Sequence, residues 1–186
     1  MKIPTLLASI LIVFSINVSC NNTARIYRWD DKKRYLVGNL TEPGYNALKQ
    51  VLLTYSKSEL KDTLIIKYDY NRETCWDLLD QHGDDYIHGV VSAQQMHIQK
   101  AGLNRKGVPI FSFREEGNDF NKLKKWDNTL IIDKEAKLFR LLFYERTICG
   151  SSIIVLPDRK YVLLRSDSHF EILDYSGEKI RQLLLP

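Results

Sequence analysis

Apolar residues recur along the chain in segments that alternate between helical and strand-like spacing. Recurrence at three and four residues predicts amphipathic helices over 44–58, 74–79, 84–101, 119–126 and 136–143. Continuous or alternating apolar runs predict strands over 63–70, 108–113, 129–132, 152–156 and 160–164. Thr74 is placed to cap the second helix, and Gly102 is placed to end the third.

The last two strands are joined by turn residues. Pro157, Asp158 and Arg159 separate them with the spacing and chemistry of a β-hairpin. The tail 166–186 is ambiguous, because Asp167 suits a helix cap while 175–178 resembles a turn between strands. Strands that alternate with helices and end in a hairpin predict an α/β sandwich with a mixed central sheet, flanking helices and a C-terminal β-hairpin.

Composition narrows the class of protein without identifying its chemistry. Hydrophobic residues make up 44% of the 186 positions and charged residues 27%, which is typical of a folded globular domain. The 27 basic and 23 acidic residues leave a net charge of +4 and alternate along the chain, so no nucleic-acid partner is predicted. No repeat or linker divides the chain after its first 40 residues, which favours one domain over 41–186.

The N-terminus has the pattern of an export signal. Lys2 precedes an uncharged apolar run over 6–16, which is too short to span a bilayer but suits a signal peptide. Ser19 and Cys20 follow this run and resemble the lipobox of bacterial lipoproteins, although Asn17 stands where that box usually has Leu. This predicts a signal peptide over 1–19, lipidation of Cys20 and a polar tether over 20–40.

The resulting expectation is a lipoprotein of the bacterial cell envelope, held to the membrane through its N-terminal lipid. The alternative is ordinary cleavage that leaves Cys20 as a plain thiol. The aromatic residues of 21–35 allow an early strand in place of part of the tether.

The order of elements resembles the thioredoxin-like fold, in particular its thiol-oxidoreductase and peroxiredoxin-related branch. The segment TLIIKYDYNRETCW is similar to the family's junction between a core strand and the helix that carries a reactive thiol, here Cys75. The segment SSIIVLPDRKYVLLR looks like the family's closing hairpin. Two features depart from the family: a single Cys stands where Cys-x-x-Cys is expected, and no Pro precedes the hairpin.

The resemblance implies that Cys149 lies in the loop facing the N-terminus of the Cys75 helix. The two residues are then candidates for a redox pair with Cys75 as the lower-pKa thiol. They are also candidates for a structural disulfide, or for two separate buried thiols, which the frequency of buried free Cys favours.

Two functions follow from the resemblance. The missing Cys-x-x-Cys and Pro favour a degenerate thioredoxin-like domain that binds an envelope protein partner without catalysis. The alternative is a thiol-disulfide redox protein that uses Cys75 and Cys149. No cofactor or metal is expected, since the four histidines lack ligand spacing and only His169 is worth considering for copper. Oligomeric state is left open.

Overall fold

The computed structural model describes residues 34–56, 59–61, 63–76, 79–105 and 107–185, together with the backbone of residues 26–27. The predicted signal peptide and the predicted lipidation site, Cys20, lie outside these residues. Among the described helices, none combines the length and the apolar character that crossing a bilayer requires.

Eight strands follow one another along the described chain: β1 (Ile26–Tyr27), β2 (Tyr35–Asn39), β3 (Leu64–Asp69), β4 (Ile110–Glu115), β5 (Ile131–Asp133), β6 (Arg146–Thr147), β7 (Ser151–Val155) and β8 (Lys160–Leu164). Six of them form one sheet in the order β2-β8-β7-β3-β4-β5, and β1 pairs with β6 in a second, parallel pair. In the sheet, β3, β4 and β5 are parallel, whereas β7, β8 and β2 are joined by antiparallel pairing. The predicted mixed sheet and the predicted hairpin are therefore confirmed.

Within the residues that the structure describes, four α-helices accompany the sheet: α1 (Glu42–Leu53), α2 (Asp84–Asn104), α3 (Asn121–Trp126) and α4 (Gly177–Leu183). The start of α1 is defined locally, because the Thr41 side chain accepts the Gly44 N–H at 3.2 Å and Pro43 lies in the first turn. In α2, the helix continues past Gly102 to Asn104, so the predicted stop at this glycine is wrong.

Apolar side chains cover both faces of the sheet. The alternation along β3 directs Leu64, Ile66 and Tyr68 to one face, where they pack with α1 and with residues 138–143. Ile65 points to the opposite face and packs with the C-terminal half of α2 and with residues 170–180. A smaller cluster joins residue 79, α2 and Phe120. Two helix layers around one sheet confirm the predicted α/β sandwich.

Two predicted helices have other conformations. Residues 74–79 do not form one α-helix: Thr74–Trp76 and Leu79–Gln81 are separate 3₁₀ turns. Residues 134–143 form a 3₁₀ turn, Lys134–Ala136, and a π-helical turn, Phe139–Phe143. A regular start is prevented because the Asp133 carboxylate accepts the N–H groups of Leu138 and Phe139, at 3.0 and 2.9 Å, and Glu135 has φ 60°.

The two ends of the domain also differ from the sequence expectations. The tail forms a 3₁₀ helix, Glu171–Asp174, and then α4, which Ser176 caps by accepting the Lys179 N–H at 3.1 Å. The interpretation of 175–178 as a turn between strands is wrong. At the other end, β2 forms the edge of the sheet within the predicted tether 20–40, so the folded part of the chain begins before residue 41.

Candidate functional site

The sheet topology brings two loops together at one end of β3. Because β3 and β7 are antiparallel, with Tyr68 opposite Ser151, the chain leaves β3 where it enters β7. The turn 70–76 therefore lies beside the loop 148–150. The Cys75 N–H donates to the Ile148 carbonyl at 3.1 Å and fastens one loop to the other. The pairing of β3 with β7 thus brings together two loops whose cysteines, Cys75 and Cys149, are 74 positions apart in sequence.

Cys75 and Cys149 form a disulfide across these loops. Their Cα atoms are 5.1 Å apart, within the usual range for a disulfide. The pair is asymmetric, since Cys75 is exposed to solvent whereas Cys149 is only 9% exposed. The interpretation of two separate buried thiols is therefore wrong. Cys75 is therefore the surface residue of the pair, and Cys149 is the shielded partner.

The expected helix N-terminus at Cys75 is absent. This residue lies within the three-residue 3₁₀ turn Thr74–Trp76, and α2 starts only at Asp84. A helix dipole acts through aligned peptide groups over at least a full turn, so this turn offers little of it. Arg72, three positions before Cys75, is 86% exposed on its side chain, and its Nε lies 3.7 Å from Asp119. The expected stabilisation of a Cys75 thiolate by a helix N-terminus is therefore not part of the site.

Gly150 lets the loop that carries Cys149 lie directly on buried charges. A Cβ at this position would overlap the Asp69 carboxylate and come within 2.9 Å of the Tyr68 carbonyl oxygen. Asp69 in turn pairs with Lys67 at 3.1 Å, and both side chains are buried. Glycine is therefore required here by close approach of the backbone to an ion pair.

Lys67 joins the sheet to the segment after β8. Its Nζ donates to the Asp167 carbonyl at 2.5 Å, and the Asp167 N–H donates to the Gly150 carbonyl at 2.6 Å. Burial lowers the pKa of Lys67, but the charges of Asp69, Asp167 and Glu73 outweigh it and raise the pKa above its ordinary value. A buried ammonium is thus held charged beneath the cysteine loops.

Glu73 lies two positions before Cys75 and is almost completely buried. Burial and the nearby Asp69 charge raise its pKa to about 8, against the opposing effects of Arg114, Lys67 and the Gly150 backbone. Its nearest cation, Arg114 Nη1, lies 3.8 Å from Oε1, and Arg114 Nη2 donates to the Tyr70 carbonyl at 3.1 Å. Glu73 is therefore a carboxyl group that exchanges its proton near neutral pH, between the two loops.

Glu115 connects both loops through one carboxylate. Its Oε2 accepts the N–H of Asn71 at 3.0 Å, in the turn that leads to Cys75. The same oxygen accepts from Arg146 Nε at 3.0 Å, in β6 ahead of Cys149. A single side chain at the end of β4 thereby holds the two cysteine-bearing segments in register.

A chain of hydroxyl groups supports the Cys149 loop from within. The Tyr70 hydroxyl donates to Ser151 Oγ at 3.0 Å, and Ser151 Oγ lies 3.0 Å from Thr147 Oγ1. Thr147 Oγ1 donates to the Cys149 carbonyl. Ser151 and Ser152 are both buried, so neither is available to solvent as a nucleophile.

An open cleft of about 470 Å³ lies beside the Cys75 turn. Asn71, Arg72, Asp80, Asp119 and Phe120 contribute to its lining. Its walls are partly polar and partly apolar, and the Asp119 carboxylate accepts from the Asn71 side chain at 2.8 Å.

The sequence interpretation found the cysteines and missed the charges around them. Lys67, Asp69, Glu73 and Arg114 were not singled out, and Asp167 was considered only as a helix cap, although Lys67 and Asp69 interrupt an otherwise apolar strand. A strand with both faces covered cannot leave such charges unpaired, and this was the available signal. His169 has no metal site around it: the described residues contain no group of three or more His, Cys, Asp or Glu that could hold a metal ion.

The comparisons with known proteins found no match, so a functional conclusion depends on the geometry of this site. No protein family matches the sequence, no curated protein is significantly similar to it, and no solved structure matches the fold significantly. The mixed sheet, its flanking helices and the cysteine pair are compatible with a thioredoxin-like fold.

Proposed function

We propose that the protein is a thiol-disulfide redox protein with a thioredoxin-like domain that acts through Cys75 and Cys149. The observation that carries the proposal is the asymmetry of the disulfide, in which Cys75 is an exposed residue and Cys149 a nearly buried one. Thiol-disulfide exchange requires an accessible sulfur for the partner and a second sulfur within reach of the first.

In the proposed reaction, a dithiol partner reduces the disulfide. A partner thiolate attacks the Cys75 sulfur, a mixed disulfide forms, and Cys149 leaves as a thiolate that takes up a proton. The partner's second thiolate then attacks the partner sulfur of the mixed disulfide. Cys75 is displaced as a thiolate and takes up a proton. The partner gains a disulfide and the protein gains two thiols; the reverse sequence reduces a partner disulfide.

Glu73 supports this chemistry as a nearby proton carrier. The pKa of Glu73 is raised to about 8, so its carboxyl group is largely protonated at neutral pH and loses its proton as the pH rises just above neutral. Exchange creates and consumes thiolates at the same end of β3, so a carboxyl group with this pKa is suited to supplying or accepting their protons.

We further propose that the domain works at the bacterial envelope as a lipoprotein anchored to the membrane through Cys20. The apolar run, the small residue at 19 and the following cysteine support this placement. An oxidising envelope is also the compartment in which a stable disulfide is expected.

A second candidate is a non-catalytic domain that binds an envelope partner and uses the disulfide as a structural link. The favouring observation is the setting of Cys75, which lacks an α-helix N-terminus and a second cysteine in its turn. The Cys75 N–H bond to Ile148 and the Glu115 bridge hold the same loops together, as a structural link would require.

The test combines a redox titration with capture of mixed disulfides, both on the full chain. A redox-active pair is expected to titrate between about −120 and −270 mV, whereas a structural disulfide is expected below about −300 mV. Cys149→Ser leaves the Cys75 thiol, which should attack a peptide that contains a disulfide and accumulate a mixed disulfide, while the peptide's other sulfur leaves as a thiol.

Cys75→Ser is the matched variant, since it retains only the shielded thiol, and it should accumulate far less of that adduct. Equal trapping by both variants, or a midpoint below the structural threshold, would favour the second candidate. Retention of insulin-reducing activity by Cys75→Ser would also contradict the redox proposal.

A further inference from the structure

The two cysteines of the disulfide depend on the fold to meet. Cys75 and Cys149 are 74 positions apart, so after reduction no short stretch of chain keeps their thiols together. For a loop of this length, chain entropy favours separation of the two ends. A redox cycle that opens and closes this disulfide therefore requires contacts that hold both loops in place in the dithiol form.

Several contacts between the two loops and their surroundings involve no sulfur atom. The Cys75 N–H donates to the Ile148 carbonyl at 3.1 Å, and the Asp167 N–H donates to the Gly150 carbonyl at 2.6 Å. These bonds join backbone groups, so breaking the S–S bond does not remove either partner. The loops thus have a set of contacts that reduction leaves available.

Glu115 is the side chain that spans the two loops. Its Oε2 accepts the Asn71 N–H at 3.0 Å and Arg146 Nε at 3.0 Å, while Arg146 Nη2 donates to Oε1. The Glu115 side chain is only 11% exposed, so water and salt screen these charge-assisted bonds less than they would at the surface. Asn71 belongs to the turn of Cys75, and Arg146 precedes the loop of Cys149.

Arg146 is held in its turn from the side opposite to Glu115. Its guanidinium carbon lies 4.9 Å from the centre of the Phe139 ring, which is the distance of a cation–π contact. The Phe139 N–H donates to the Asp133 carboxylate at 2.9 Å, so the residue that carries this ring is fixed at the end of β5. Arg146 therefore has little freedom to follow a loop that moves away.

We propose that Glu115 is a positioning residue for thiol-disulfide exchange, which keeps Cys75 and Cys149 close together after their disulfide is reduced. The proposal rests on the proposed redox function. When a substrate sulfur is bound to Cys75, the Cys149 thiolate attacks the Cys75 sulfur, and the substrate leaves as a thiolate that takes up a proton. Glu115 makes this attack favourable by holding the two reacting sulfurs within one site.

The test measures the equilibrium constant for closing the disulfide in the folded, full-length chain. In buffers of reduced and oxidised dithiothreitol, the cyclic disulfide of dithiothreitol becomes a dithiol as the two protein thiols form their disulfide. Alkylation followed by mass spectrometry counts the thiols at positions 75 and 149 separately.

Glu115→Gln keeps the size of the side chain and an acceptor for the Asn71 N–H, but it removes the charge that Arg146 pairs with. Without this bridge the reduced loops separate, so the dithiol form gains entropy. The closing constant should fall about tenfold, which is about 1.4 kcal/mol and typical of losing one charge-assisted hydrogen bond.

Asp127→Asn is the matched control. Asp127 is also a nearly buried carboxylate that joins two segments, since it accepts from Gln95 Nε2 at 3.1 Å and from the Thr129 N–H at 2.9 Å. Neither partner belongs to a cysteine loop. The control should lower the stability of the oxidised and reduced protein to urea by the same amount, so its closing constant should equal that of the wild type.

Arg146→Met removes the same contact from the other side. The Arg146 side chain is 27% exposed, so this variant keeps the test decisive if Glu115→Gln does not fold. It should lower the closing constant to a similar extent. The double variant Glu115→Gln/Arg146→Met should show no further fall, because both substitutions remove one shared contact.

An unchanged closing constant in a folded Glu115→Gln or Arg146→Met variant would overturn the proposal. An equal fall in Asp127→Asn would also overturn it, since the effect would then reflect general destabilisation, and so would a double variant in which the two effects multiply. Failure of the redox function itself is a separate result, because Cys149→Ser would then trap no peptide. Failure of the positioning role alone leaves that trapping intact.

Discussion

Breaking the disulfide with Cys75→Ser should destabilise the domain strongly. Cys75 is exposed, so the substitution itself removes little packing, and its main effect is to release the link to Cys149. The link closes a loop of 74 positions, for which the chain-entropy relation gives about 4.5 kcal/mol at 25 °C. Because denatured chains retain some structure, we expect a measured loss of about 3–4 kcal/mol.

Urea unfolding followed by fluorescence or circular dichroism measures this loss through linear extrapolation. Thr74→Ala is the control, since Thr74 is an exposed neighbour in the same turn that takes no part in the disulfide. It should change the free energy of unfolding by less than about 0.5 kcal/mol, as surface substitutions usually do. Adding a reductant to the wild-type protein should reproduce the effect of Cys75→Ser.

A loss below about 1 kcal/mol for Cys75→Ser would refute the argument, since even a 15-residue loop gives about 3 kcal/mol in the same relation. An equal loss for Thr74→Ala would also refute it, because the effect would then come from the turn and not from the link between loops.

Three further predictions concern the surroundings of the cysteines. Glu73 has a folded-state pKa of about 8 against an ordinary 4.5, so the folded protein holds this proton more tightly and loses stability as the pH rises from about 4.5 to about 8. Glu73→Gln should flatten that part of the profile and make the protein more stable than wild type at pH 9, and an unchanged slope would contradict the assignment. Gly150→Ala should cost about 1–3 kcal/mol in urea unfolding, because its Cβ overlaps the Asp69 carboxylate, and a neutral result would show that the loop lies farther out. Glu115→Gln should weaken the link between Asn71 and Arg146 and increase hydrogen exchange of both cysteine loops, whereas a change in one loop alone would argue against a shared bridge.

Local patterns predicted the elements whose hydrogen bonds and packing are local. The hairpin β7–β8 was predicted from alternation on either side of Pro157 and Asp158, and α1 from apolar spacing after Thr41. The α-helix predicted over 136–143 was wrong, because the apolar pattern contains no information about a side-chain contact made by the residue just ahead of this segment. The Asp133 carboxylate accepts two backbone N–H groups, so a regular first helical turn does not form. Apolar periodicity carries no information about hydrogen bonds of this kind between a side chain and the backbone.

The candidate site was predicted in part, and through a resemblance rather than through spacing. The sequence contains Cys75 and Cys149 but leaves their separation in space open, since 74 positions allow any arrangement. The apolar pattern of the sequence also did not predict the buried charges around these cysteines. Lys67 is stable in the interior because Asp69 on the same strand pairs with it and the Asp167 carbonyl, 100 positions away in sequence, accepts from its Nζ.

The amino-acid sequence by itself determined the alternation of strands and helices and the closing hairpin, because each depends on neighbours along the chain. Only the tertiary structure decided which strands adjoin, that Cys75 is exposed while Cys149 is shielded, and that Glu73 holds its proton to an unusually high pH. Those properties arise from burial and from charges brought together across the sheet, and strand order is the physical cause of both.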